Sequence, residues 1–250
     1  MPFPTVGAHS PPCLRKFDTG WVKMLENVIT AIEIIGVVSF CISGAIVAID
    51  KEMDLMGVVL LALTTTFGGG VFRDLIIGRT PAFFVSMHLY VLVGTVTSII
   101  VFILASAFKR WYVREEAKIN FLNNFVDAIG LGAFTVTSVD ICLDVCPEKG
   151  PFLAIMMGMI ASVGGGVVRD LFLDRVPNVF RKHIYALACL IGSALYYVLR
   201  VLAFPNSEVG EIISTVVCIL TVFVIRVLAS IFKWNLPKAI RFAELEEKNG

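Results

Sequence analysis

Apolar residues fall along this chain in long blocks, without the strict alternation of a half-buried strand or the single stripe of a surface helix. Windows of about 20 predominantly apolar residues suffice to carry a helix across a hydrocarbon core. They predict seven spans, at 28–49, 55–78, 87–108, 121–143, 151–173, 184–204 and 211–232. The second and fifth spans are interrupted by Gly68-Gly69-Gly70 and Gly164-Gly165-Gly166, and each triplet is followed by an Arg-Asp pair.

Composition agrees with this pattern. Of 250 residues, 57% are hydrophobic and 16% charged, with a mean hydropathy of +0.85, which excludes a soluble globule. A net charge of +1 gives no sign of a nucleic-acid partner. The six cysteines fall mostly in or beside apolar runs and do not make a disulfide scaffold. Residues 1–27 hold Pro2, Pro4, Pro11 and Pro12 but no apolar core of a cleaved signal peptide, and Asp18 and Glu26 spoil a transit-peptide pattern. The first span therefore reads as an uncleaved anchor.

Orientation follows from lysine and arginine on alternate sides of the spans. Twelve lie in the loops after spans one, three and five and in the tail, against six on the opposite face: Arg15, Lys16, Lys23, Arg79, Lys149 and Arg200. This places the C-terminus in the cytosol and the N-terminus outside or in a lumen. The choice between plasma membrane, inner membrane and endomembrane stays open.

The chain also contains an internal repeat. GGGVFRDLIIGRTPAFF at 68–84 and GGGVVRDLFLDRVPNVF at 164–180 are identical at ten of seventeen positions. Upstream, Glu33-x-x-Gly36-x-x-x-Phe40 matches Asp127-x-x-Gly130-x-x-x-Phe134. Each unit has three spans, so the second enters the membrane from the opposite side. The expected fold is an all-α membrane protein of seven transmembrane helices, two inverted three-helix repeats plus a seventh helix. Its parts are a non-membrane segment (1–27), a first repeat (28–108), a basic cytosolic linker (109–120), a second repeat (121–204), the seventh helix (211–232) and a cytosolic tail (233–250).

Three consecutive glycines cost about 1 kcal/mol each in a helix relative to alanine. Here they are expected to open the backbone of a kinked or broken span, offering carbonyls to a cation at a constriction formed by Gly68, Gly69, Gly70, Gly164, Gly165 and Gly166. The alternative is close helix packing. Thr64, Thr65, Thr66 and Ser162 beside the triplets either coordinate a dehydrated ion or bond back to their own helix. Arg73 and Arg169 are costly inside a bilayer and need partners. Neighbouring positions on a helix do not face each other, so depth favours Glu33–Arg73 and Asp127–Arg169 ion pairs, one near each mouth. Asp74 and Asp170 are left to face the conduit or cap the helix pieces.

Pro81 and Pro177, with Arg79 and Arg175, read as helix-ending turns. Asp140, Asp144 and Glu148 make an acidic outer mouth. Arg226 lies close enough to the cytosolic end to snorkel, and His88, His183, Tyr90 and Tyr185 read as interfacial anchors. Cys142 and Cys146 share a helical face without further ligands at metal spacing. No metal site is expected beyond a transient monovalent cation, and no cofactor. Motifs of serine hydrolases, zinc proteases and phosphate loops are absent, so the chain does not read as an enzyme.

The doubled GGGxxRDxxxGRxP pattern, preceded in each half by an acidic residue, Gly and Phe, resembles the bacterial-type members of the trimeric intracellular cation channel superfamily. These are also called glycine-transporter domain proteins. The likeness covers roughly residues 28–232. It implies a 3+3+1 fold, a homotrimer in the lipid bilayer, and one conduit per protomer lined by spans two and five. It also implies permeation by monovalent cations, chiefly potassium, with glycine-rich kinks near the constriction. Gly68 to Gly70, Arg73, Asp74, Gly164 to Gly166, Arg169 and Asp170 match the motif. Arg73-Asp74-Leu75 departs from the Lys-Glu-Val of the animal branch, so phosphoinositide binding does not carry over. Asp174 stands where the first repeat has Gly78, which weakens the symmetry of the two gates. The leading reading is a potassium channel; the alternatives are a secondary transporter of glycine or another small amino acid, and a scaffolding protein.

Overall fold

The computed structural model describes residues 19–82, 88–181, 184–205 and 207–234. Expectations for the segment before Thr19, for His183 and for the tail beyond Trp234 lie outside the described residues. Seven long helices carry the fold: α1 (Thr19–Ile49), α2 (Leu55–Ile76), α3 (His88–Ala107), α4 (Glu116–Val145), α5 (Gly150–Phe172), α6 (Ile184–Tyr197) and α7 (Glu208–Ile231). A wide π-helical turn, Val198–Ala203, extends α6, and short helices lie at Lys109–Arg114 and Asn178–Arg181. Each span is long and apolar enough to cross a membrane, and the predicted bounds differ from the observed ones by a few residues. The protein is a multi-pass integral membrane protein.

Local chemistry sets the ends. Asp54 caps α2, its carboxylate accepting the Gly57 N–H at 2.7 Å, and the Ser207 hydroxyl caps α7 through Gly210 N–H at 3.1 Å. The expected turns after α2 and α5 form, and they share one construction. Gly78 takes a left-handed φ of 77° and Asp174 one of 50°. Arg79 N–H donates to Asp74 C=O at 2.8 Å and Arg175 N–H to Asp170 C=O at 3.0 Å, closing a Schellman cap on each helix.

Packing within the two repeats corresponds: α1, α2 and α3 contact one another, as do α4, α5 and α6. The halves join where α2 meets α5 and α1 meets α4, while α7 packs against α4 and α6. At the α1–α4 junction Phe40 and Phe134 stack with centroids 5.1 Å apart. Phe40 covers Gly130 and Phe134 covers Gly36, so the repeated Gly-x-x-x-Phe is a reciprocal knob and hole.

The glycine triplets do not break their helices, for Leu55–Ile76 and Gly150–Phe172 are each one continuous α-helix. A Cβ on Gly69 would lie 1.8 Å from Ala161 O, and one on Gly165 would lie 1.8 Å from Thr65 O. The central glycines thus let two backbones touch. In a bilayer the unwound alternative strands carbonyls away from water, whereas backbone contact adds dispersion at no such cost.

Candidate functional site: two polar cavities flanking a glycine seam

Each repeat builds the same charged cluster. In the first, the Arg73 guanidinium donates from Nε (3.0 Å) and Nη2 (2.8 Å) to one oxygen of Asp74, and Nη1 reaches Ser138 Oγ across the repeat boundary at 3.2 Å. The other Asp74 oxygen accepts Ala82 N–H at 2.9 Å, beyond Pro81. In the second, Arg169 Nε donates to Asp170 Oδ1 at 3.0 Å and Nη1 to Ser43 Oγ at 3.2 Å, again across the boundary. All four charged side chains of the Arg-Asp motifs are buried.

The depth-based pairing is corrected by this geometry. Arg73 is bonded to Asp74 and Arg169 to Asp170, and neither Glu33–Arg73 nor Asp127–Arg169 forms an ion pair among the described residues. A guanidinium is long enough to fold back on the next side chain. The Asp74 carboxylate is pinned by Ala82 N–H in the orientation that receives it. Glu33 and Asp127 are taken by tyrosines instead: Tyr90 Oη donates to Glu33 Oε2 at 2.5 Å and Tyr185 Oη to Asp127 Oδ2 at 2.7 Å. These tyrosines, read from sequence as interfacial anchors, are part of the clusters. The signal that marks them is their matched place in the two repeats opposite a matched acid.

Arg226 does not snorkel. It is 4% exposed, lies 4.2 Å above the Tyr185 ring and puts Nη2 at 3.7 Å from Asp127 Oδ2. The hydroxyls beside the triplets bond back to their own helices: Thr64, Thr65 and Thr66 donate to Leu60, Leu61 and Ala62 carbonyls at 2.7–2.8 Å. Ser162 likewise donates to Gly158 and meets Thr135 Oγ1 at 2.8 Å. Asp140 accepts from Tyr196 Oη at 3.1 Å, and Asp144 and Glu148 are exposed beyond it.

Each cluster borders a cavity. The first, about 30 Å³, is lined by Glu33, Gly70, Arg73, Asp74, Tyr90 and Thr137. The second, about 260 Å³ and markedly more polar, is lined among others by Ser43, Asp50, Asn123, Asp127, Arg169 and Arg175. Within the triplets the outer two glycines meet no backbone crossing as tight as the central pair. Gly70 and Gly166 lie beside Arg73 Nη2 and Arg169 Nη2, at 3.9 and 3.8 Å from the position a Cβ would take. Among the described residues no group of His, Cys, Asp and Glu could hold a metal ion, and Cys142 and Cys146 are free thiols.

Comparison with known proteins gives a consistent result. Residues 30–106 and 124–201 each match the family described as Glycine transporter, one match per half. The inner membrane protein YadS of Escherichia coli strain K12 is 32% identical over 191 residues, 74% of this chain and 87% of YadS. The TRIC trimeric intracellular cation channel orthologue from Rhodobacter sphaeroides superposes with a TM-score of 0.71 at 31% identity, over 83% of this chain and 100% of that one. A chain from a study of the structural basis for conductance through TRIC cation channels gives 0.70 at 32% identity, over 85% and 97%. Both solved chains are cation channels.

Proposed function

Because the chain belongs to the glycine transporter family, in the bacterial-type branch of the trimeric intracellular cation channel superfamily, we propose that it is a monovalent-cation channel, with potassium as its ion. The observation that carries this reading is the pair of cavities, each walled by an acid, an Arg-Asp pair and a tyrosine, on a fold shared with solved cation channels. Carboxylates in a low-dielectric wall attract cations and repel anions. The conduit of each protomer runs along the α2–α5 seam from the second cavity, past Arg169 and Ser43, to Arg73, Ser138 and the first cavity.

In this reading the triplets divide their work. Gly69 and Gly165 fix the seam, and Gly70 and Gly166 keep the wall bare beside the arginines. The two repeats are inverted about an axis in the membrane plane, the second cavity opens to the cytosol, and three protomers assemble, as in the trimeric channels the fold matches. Purified protein in liposomes tests the proposal. The expected result is a voltage-responsive potassium flux that glycine neither drives nor inhibits. Saturable glycine uptake would replace the channel with a secondary transporter, and a tight vesicle with neither flux would leave a scaffold.

A further inference from the structure

The two clusters are built on the same plan and differ in the number of guanidiniums that face their acids. Around the first cavity, the carboxylates of Glu33 and Asp74 face the single guanidinium of Arg73, and among the described residues no basic group lies within ion-pair distance of Glu33. Around the second, Asp127 and Asp170 face two guanidiniums, Arg169 and Arg226. Asp50 and Arg175 also line that cavity and add one charge of each sign. Arg226 stands on α7, the one span outside the duplication, so the repeat supplies no counterpart near Glu33. It reaches Asp127 from behind, lining a neighbouring cavity of about 330 Å³ with Asn124, Ser230 and Lys233. From there it neutralises the acid without standing in the second cavity.

On the channel reading above, we propose that Arg226 is a specificity-determining residue that makes conduction unequal in the two directions. It cancels the acid of the second cavity and leaves the first as the cation-attracting end. A unit charge about 6 Å from a permeating ion changes the ion's local occupancy roughly threefold even at the dielectric constant of water. The two mouths therefore load potassium unequally, and the current rectifies.

The test is the ratio of potassium currents at equal and opposite voltages, in membrane patches from cells where the protein is uniformly oriented. Arg226→Gln leaves one uncompensated acid at each end, so the ratio is expected to move about threefold toward unity while conductance rises. Arg226→Lys keeps the wild-type ratio. Asp127→Asn combined with Arg226→Gln restores balance in the second cavity and the wild-type ratio with it. Glu33→Gln also brings the ratio toward unity but lowers conductance, and Glu33→Gln with Arg226→Gln reverses the direction of rectification. An unchanged ratio in Arg226→Gln, or a Glu33→Gln, Arg226→Gln channel that rectifies as the wild type does, overturns the inference. If Arg226→Gln does not fold, Glu33→Gln and the charge-balanced double variant still decide it. A wild-type protein that carries no potassium current overturns the channel reading itself, and is read separately.

Discussion

Arg73 is 3% exposed, and its charge is tolerated only because Asp74 holds it with two hydrogen bonds and Ser138 with a third. Breaking a buried pair by removing one partner costs about 3–5 kcal/mol, since the charge left behind stays buried without its counter-charge. Asp74→Ala is therefore expected to lower thermal stability in detergent by that order. Glu33→Gln, which keeps an acceptor for Tyr90, is expected to cost less than about 1 kcal/mol. The opposite ranking would restore Glu33 as the partner of Arg73. That the arginines need buried partners was legible from the repeat, because charges inside spans are costly unless paired. Who bonds to whom was not. Pairing depends on where the Ala82 N–H sits after the turn at Pro81 and on how a flexible guanidinium folds, and neither is encoded in depth along a helix. Arg226 was misread for a related reason: its position near the end of α7 is compatible with snorkelling, and only the packing of α7 on α4 and α6 turns it inward.

The α2–α5 crossing shows how the same glycines support two opposite readings at the level of the element. Propensity alone says that a triplet weakens a helix by about 3 kcal/mol, which is why a break was the natural expectation. The bilayer reverses the outcome, because it penalises unpaired carbonyls and rewards close backbone approach. The triplet positions should consequently be unequal. Gly69→Ala and Gly165→Ala put a methyl 1.8 Å from a carbonyl oxygen, which no rotamer relieves, and the helices must separate. Each is expected to lose about 3 kcal/mol or more, at the upper end of overpacking costs, seen as a large drop in melting temperature and in recovery of folded protein. Gly68→Ala would meet Val168 side-chain atoms at 3.6 Å and Gly165 Cα at 3.7 Å, both ordinary contact distances, and Gly70→Ala only Arg73 Nη2 at 3.9 Å, so both should fold normally. If all four lose stability equally, the glycines act through helix flexibility and the crossing is not their reason. The span bounds, by contrast, followed from hydropathy within a few residues, because the length of a crossing is set by the hydrocarbon thickness rather than by contacts.

At the scale of the whole molecule, duplication was visible in the sequence and reappears as matching contacts within α1–α3 and α4–α6, with α7 packed on the second unit. The reciprocal fit of Phe40 on Gly130 and Phe134 on Gly36 needed the structure, since sequence shows that a motif repeats but not that its copies meet. A seven-span chain puts its termini on opposite faces, and the proposed orientation, with the C-terminus in the cytosol, rests on its twelve-to-six bias of lysine and arginine. The chain offers a clean way to check this. The cysteines among the described residues, Cys41, Cys142, Cys146, Cys189 and Cys218, are all buried, so after Cys13→Ser the native thiols contribute little background to a membrane-impermeant label. A single cysteine introduced by Lys248→Cys is expected to stay unlabelled in intact cells and to react once the membrane is permeabilised. One introduced by Lys149→Cys, in the short loop between α4 and α5, is expected to label in intact cells when the protein is in the plasma or inner membrane. Labelling of the tail cysteine in intact cells would invert the molecule, and with it the assignment of the second, wider cavity to the cytosolic side.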